Sequence, residues 1–240
     1  MPTTSPSPRP ADRRAPRPTG RRRLPARRAL VAGALALTLT GGAAVTAVAG
    51  GRTPAPPTRG AVQNLPAGAA NPSIANGTTI GALVTTYKSS GTGPGRLNPA
   101  GAAGTPEAYV DASSFPGGTL PEGVTITEAQ GLNALARIEA NLASVGLGLD
   151  DVITMRVFVD APPGAAVADY AGFNRAYRQY FANVDLVTGE TLPQPVGTAA
   201  PTPPLVVNAQ RPSRSLLEVA SLPVAGWLVE IEVDAVVGRR

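Results

Sequence analysis

The chain has 240 residues with neither His nor Cys, which excludes disulfides, thiolate and imidazole metal sites, Cys nucleophiles and the Ser-His-Asp triad. Its chemistry must use carboxylates, Arg, Lys, hydroxyls, backbone groups and water, with no cofactor or metal expected. The net charge of +5 is unevenly held: residues 1–49 carry nine Arg against Asp12, whereas residues 50–240 carry twelve basic and fifteen acidic groups, so the body lacks the positive excess needed to engage nucleic acid.

The front of the chain reads as a leader. Arg27-Arg28 precedes an uncharged run rich in Ala, Gly, Leu and Thr, and Ala47-Val48-Ala49 offers small residues at signal-peptidase spacing. This pattern predicts an export signal over residues 1–49, of twin-arginine type, cleaved near Ala49. The alternative is a single N-terminal membrane anchor, for which the run is poor in Leu and Ile. Residues 50–73, rich in Pro and polar groups, predict a flexible linker.

From residue 74 the patterns become regular. Residues 79–89 are rich in β-branched side chains and predict a strand, ended by the turn signal Gly91-Thr92-Gly93-Pro94. Residues 95–123 read as irregular. Thr125 and Glu128 fit a capping box, and Leu132, Leu135, Ile138, Leu142 and Val145 recur at helical spacing until Gly146 and Gly148. Residues 152–159 are a clear strand. Residues 169–182 form a second helix whose Phe173, Tyr177 and Phe181 make a core stripe. Strands are expected at 214–221 and 227–237. In the last, Val229, Ile231, Val233 and Ala235 alternate with Glu230, Glu232 and Asp234, so one face is apolar and the other carries carboxylates for water or a partner subunit to accommodate. The order predicts an α+β domain over 74–240, a mixed sheet covered on one face by two helices. A stretch at 183–212 with six prolines and no element signal reads as a lid, binding loop or disordered segment.

The body resembles the Rid/YjgF reactive-intermediate deaminases, also known as L-PSP endoribonucleases. The resemblance rests on Ser90-Gly91-Thr92 before Pro94, the run 136–159, Phe173-Asn174 with Tyr177 and Phe181, Pro212-Ser213-Arg214-Ser215, Glu218-Val219-Ala220 with Leu222-Pro223, and Val229-Glu230-Ile231-Glu232, in family order. It implies a chorismate-mutase-like fold, a homotrimer with ligand clefts between subunits, and hydrolysis of amino-acid-derived imines and enamines to 2-oxo acids and ammonia. Arg214 would anchor the substrate carboxylate, since a guanidinium pairs with it through two bonds and stays charged. Glu230 would handle the attacking water, and Ser90 and Gly91 would line the pocket. Leu216 stands where the family usually has Cys, and would act through its backbone.

Each assignment has a structural counterpart. Arg214 could pair with Glu218 or another carboxylate at an interface, Glu230 could be a solvated strand charge, and Asn174 reads as a structural link between helix and backbone. Gly91–Gly95 lacks the Gly-Lys-Ser/Thr of a phosphate loop, and Lys88 with Ser89 and Ser90 lacks the spacing of a Ser-Lys dyad. Three functions follow: an exported Rid-like hydrolase, a non-catalytic trimeric protein that binds small carboxylates, and an endoribonuclease. The acidic body and the missing His oppose the last.

Overall fold

The computed structural model describes residues 57–65 and 67–238. The export signal or anchor expected at 1–49 and the first residues of the expected linker lie outside them. The elements follow in the order β1 (Val62–Leu65), β2 (Gly77–Ile80), β3 (Thr86–Lys88), α1 (Ile126–Ala143), β4 (Val152–Val159), α2 (Tyr170–Arg178), β5 (Ser213–Glu218) and β6 (Val229–Val236). Four strands form a sheet ordered β3-β6-β4-β5, with β5 parallel to β4 and the other pairs antiparallel. Both helices contribute to the core on one face of this sheet, so the molecule is α+β, as the order of elements implied.

Period-two alternation builds the core from the sheet side. Met155, Val157 and Val159 of β4 and Val229, Ile231 and Val233 of β6 are buried, opposite Leu135, Ile138 and Leu142 of α1 and Phe173 and Tyr177 of α2. Each such side chain contributes roughly 1.5–3 kcal/mol when removed from water. The aromatic stripe is core, with Tyr177 and Phe181 stacked at 5.4 Å between ring centroids. Val145 departs from its expected face and is 53% exposed. Helix α1 has ended by then, and Gly146, at φ 75, turns the chain so that Leu147 and Leu149 enter the core instead.

The single strand expected at 79–89 is two strands in different sheets. β2 pairs with β1, while β3 pairs with β6. The break falls at Gly81, where a Cβ would lie 2.3 Å from the Thr58 carbonyl oxygen. Only glycine allows that approach, and composition alone could not separate the two halves. Pairing of Val62–Leu65 with β2 also corrects the expectation of a wholly flexible linker: this part is a strand whose Asn64 side chain donates to the Arg211 carbonyl. Its register with residues 77–80 is a long-range fact that a Pro-rich composition conceals.

The stretch 183–212 has no regular element but is held by buried polar side chains. Asn183 donates to the carbonyls of Arg178 and Val206 and accepts from the Asn208 N–H, while Gln179 donates to the Pro195 carbonyl and accepts from the Leu205 N–H. Buried Arg211 donates to the carbonyls of Pro72 and Val184 at 2.7 Å each. Backbone groups that would otherwise be orphaned are thus satisfied. The second helix stops at Arg178 rather than 182: Ala182 turns to φ 56 and its N–H donates to the Gln210 carbonyl, while the Asn183 side chain takes the Arg178 carbonyl.

Only half of the expected capping box forms. The Thr125 hydroxyl accepts from the Glu128 N–H at 3.1 Å, but the Glu128 carboxylate turns to Arg175 of α2, at 2.7 Å, and to the Gly197 N–H, at 2.9 Å. A carboxylate with no exposure gains more from a charged partner than from one amide. The Thr125 hydroxyl donates in turn to Asp169, the cap of α2, so the two helix starts are tied together.

Candidate functional site

Arg214 lies on β5, the edge strand, opposite Met155 of β4, and its side chain takes the helix side of the sheet. The guanidinium carbon stands 4.3 Å from the centre of the Tyr177 ring, and Nη2 donates to Asn174 Oδ1 at 2.6 Å. Nε and Nη1 are buried with no hydrogen-bond partner. The ion pairs among the described residues involve Lys88, Arg156 and Arg175, and Arg214 is in none of them. Burial pulls its pKa below the ordinary arginine value, partly offset by the nearby phenol of Tyr177. With one Nη2 proton given to Asn174, the other fork of the guanidinium, which includes a buried nitrogen, has no partner among the described residues. Leu216, two residues on, packs its side chain against the core.

The other margin of the sheet gathers the remaining residues. Ser89 and Thr92 extend the pairing along β6: the Ser89 N–H donates to the Val233 carbonyl, and Thr92 exchanges both backbone bonds with Ile231. Between them Ser90 is exposed, and Gly91 lies against the Glu230 carboxyl, where a Cβ would fall 1.7 Å from Oε1. Glu230 sits opposite Phe158 on the face away from the helices. Burial, and next the negative charge of Glu232, push its pKa above the usual carboxylate value.

The expectation that all three carboxylates of the last strand need water or a partner subunit is corrected in part. Arg156 pairs with Asp234 at 2.7 Å and with Glu232 at 3.3 Å, and Lys88 pairs with Asp234 at 2.7 Å. Glu230 alone of the three has no ion pair among the described residues. The structure therefore brings Ser90, Gly91 and Glu230 together and keeps Arg214 and Leu216 apart from them. Two strand spacings across the sheet, about 10 Å, three residues along it, about another 10 Å, and the sheet itself separate Glu230 from Arg214 within one chain.

Asn174 is the residue that sequence reasoning undervalued. It fixes the guanidinium, and the signal was its place beside Phe173 and three before Tyr177, which puts all three on the side of α2 that meets β5. Trp227 was likewise missed: Gly93 packs against its indole, and its Nε1 is buried without a partner. No group of three or more acidic side chains suited to a metal ion occurs among the described residues, and no described helix is long and apolar enough to cross a membrane.

Residues 117–237 match the family model for endoribonuclease L-PSP. The chain belongs to this L-PSP, or Rid/YjgF, family. Similar solved structures include a YjgF/YER057c/UK114-family protein from Mycobacterium tuberculosis, at 21% identity over 74% of this chain and 100% of that one, with a TM-score of 0.34. The Rid-family protein YyfB from Yersinia pestis is 17% identical over 73% of this chain and 98% of its own, with a TM-score of 0.39. TdcF from E. coli, solved with bound serine, is 22% identical over 63% of this chain and 80% of its own, with a TM-score of 0.33. No curated protein matches this L-PSP-family chain.

Proposed function

We propose that this protein is an exported Rid-like hydrolase that converts small carboxylate-bearing imines and enamines into 2-oxo acids and ammonia. The observation that supports it is the guanidinium of Arg214, with Nε and Nη1 buried, positioned by Asn174 and without a carboxylate partner among the described residues. Such a group binds an incoming carboxylate through two charge-assisted bonds and thereby fixes the adjacent imine carbon. Because Glu230 lies on the other margin and face, a complete cleft requires the Arg214 side of one copy against the Glu230 side of another. The proposal therefore includes a homotrimer with clefts between subunits.

In that cleft Glu230 moves the protons. Its raised pKa makes it a readier proton carrier: as the acid it donates to the imine nitrogen, and the resulting carboxylate takes a proton from the attacking water as the carbon–oxygen bond forms. Collapse of the carbinolamine breaks the carbon–nitrogen bond and releases ammonia. Ser90 and the backbone beside Gly91 border the carboxyl and hold the substrate. Leu216 supplies no thiol, so water there is oriented by backbone groups.

The test is ammonia release from an imine generated by an amino-acid oxidase. The wild-type chain should accelerate release, and Arg214→Ala should lose at least about tenfold, the weight of one charged hydrogen bond. Unchanged hydrolysis in that variant removes the proposal. One observation favours a second reading, a non-catalytic binder of small carboxylates: within a single chain the carboxylate anchor is complete, whereas the proton-handling group is remote. Thermal stabilisation by a 2-oxo acid without any turnover would select it.

A further inference from the structure

The structure contains a hollow of about 350 Å³ beside α1. Its floor is a stripe of α1 in which Leu132, Ala136 and Ala140 recur every fourth residue. Its walls come from the two irregular segments, with Leu97 and Phe115 on one side and Val196 and Leu205 on the other. Ala136 and Ala140 are exposed, and Leu97 and Leu205 are 49% and 61% exposed, so apolar surface surrounds an unfilled space. Pockets near this size accept molecules of one ring and a substituent.

Polar side chains line it too, namely Asp111, Ser114, Asn133, Arg137 and Tyr180; Asn133 donates to the carbonyls of Gly95 and Tyr109, and Arg137 to that of Gly93. Tyr180 lines the hollow, is only 6% exposed, and its hydroxyl makes no hydrogen bond to any described residue. Burial, then the charges of Glu139 and Asp111, push the phenol up to about 12, so it stays protonated and can donate to an acceptor in the hollow. Those same charges disfavour an anion beside it. Asp111 is already occupied, accepting from the Ser113 N–H and from the hydroxyls of Ser113 and Ser114, which leaves little call for a cation.

We propose that this hollow is a binding site for a small neutral molecule with a flat apolar body and one carbonyl-type acceptor, placed to receive the Tyr180 hydroxyl. It is distinct from the Arg214 margin and does not depend on the reaction proposed there. The probe is acetophenone, titrated into the full chain and followed by amide chemical shifts, with benzoate as the anionic counterpart of similar size. Saturable shifts are expected in residues 132–140 and 196–205. Ala140→Phe, at an exposed helical position, should fill the space and abolish them. Tyr180→Phe should weaken binding about fivefold, the worth of one neutral hydrogen bond. Benzoate should bind at least about tenfold more weakly, by repulsion from Glu139 and Asp111. The proposal is overturned by an absence of saturable shifts, by shifts that survive Ala140→Phe, or by benzoate binding as tightly as acetophenone.

Discussion

Replacing Arg214 with Met separates a residue kept for a ligand from one kept for the fold. The side chain is long and unbranched in both cases, so Met can fill the space beside the Tyr177 and Phe173 rings over which the guanidinium lies. What the native residue loses by folding is the hydration of Nε and Nη1, buried without partners, at about 1–3 kcal/mol for each unsatisfied group. What it gains is the bond to Asn174 at 2.6 Å, about 1.5–3 kcal/mol for a charged donor, and the contact with the Tyr177 ring at 4.3 Å, about 0.5–2 kcal/mol. The two sides nearly cancel, so Arg214→Met should leave the stability of the ligand-free protein within about 1 kcal/mol of wild type. Urea unfolding midpoints at neutral pH give the stability, and stabilisation by pyruvate should vanish in the variant. A loss above about 3 kcal/mol, of the size seen when a buried pair is broken, would refute the reasoning and make the guanidinium part of the scaffold.

Three other outcomes follow from the geometry. Glu128→Ala should cost about 3 kcal/mol, the low end for a broken buried ion pair because Arg175 can reach water, and should open residues 183–212 to protease; a change under about 1 kcal/mol counts against Glu128 as the fastener. Glu230→Gln should raise stability at neutral pH, because a folded-state pKa above the unfolded value makes ionisation unfavourable to folding as pH rises through it. The difference from wild type should disappear below the ordinary glutamate value, and equal stability at all pH would contradict the cited shift. Gly91→Ala should fold normally, since the obstructed group is the far end of a flexible side chain, yet lower ammonia release by displacing Glu230; unchanged release would show that the carboxyl position is immaterial.

Where a local rule governs a residue, the sequence showed its place. Alternation in β4 and β6, the i, i+4, i+8 aromatics of α2 and the Thr125 cap all follow from periodicity and one hydroxyl. What remained hidden depends on partners far along the chain. Glu128 has a capping spacing, but a cation 47 residues away outcompetes the cap. Strand β1 exists only because residues 77–80 run beside it. Asn174 carries no signature of its own, and its contact with Arg214 spans 40 residues, most of them in a segment without a pattern. The free charge of Glu230 could be recognised only once Arg156 and Lys88 were seen to be spent on its neighbours.

The segment 183–212 is secured chiefly by amide, guanidinium and carboxylate side chains, with Val196 and Val206 its apolar contacts to the core. Such fastening is directional but shallow, because each bond is exchangeable with solvent at small net cost. In native-state hydrogen exchange these amides should therefore open as one cooperative unit at a free energy well below that of the sheet. Mild denaturant would then release a ribbon of the molecule's own chain while the four-stranded sheet beneath it stays protected.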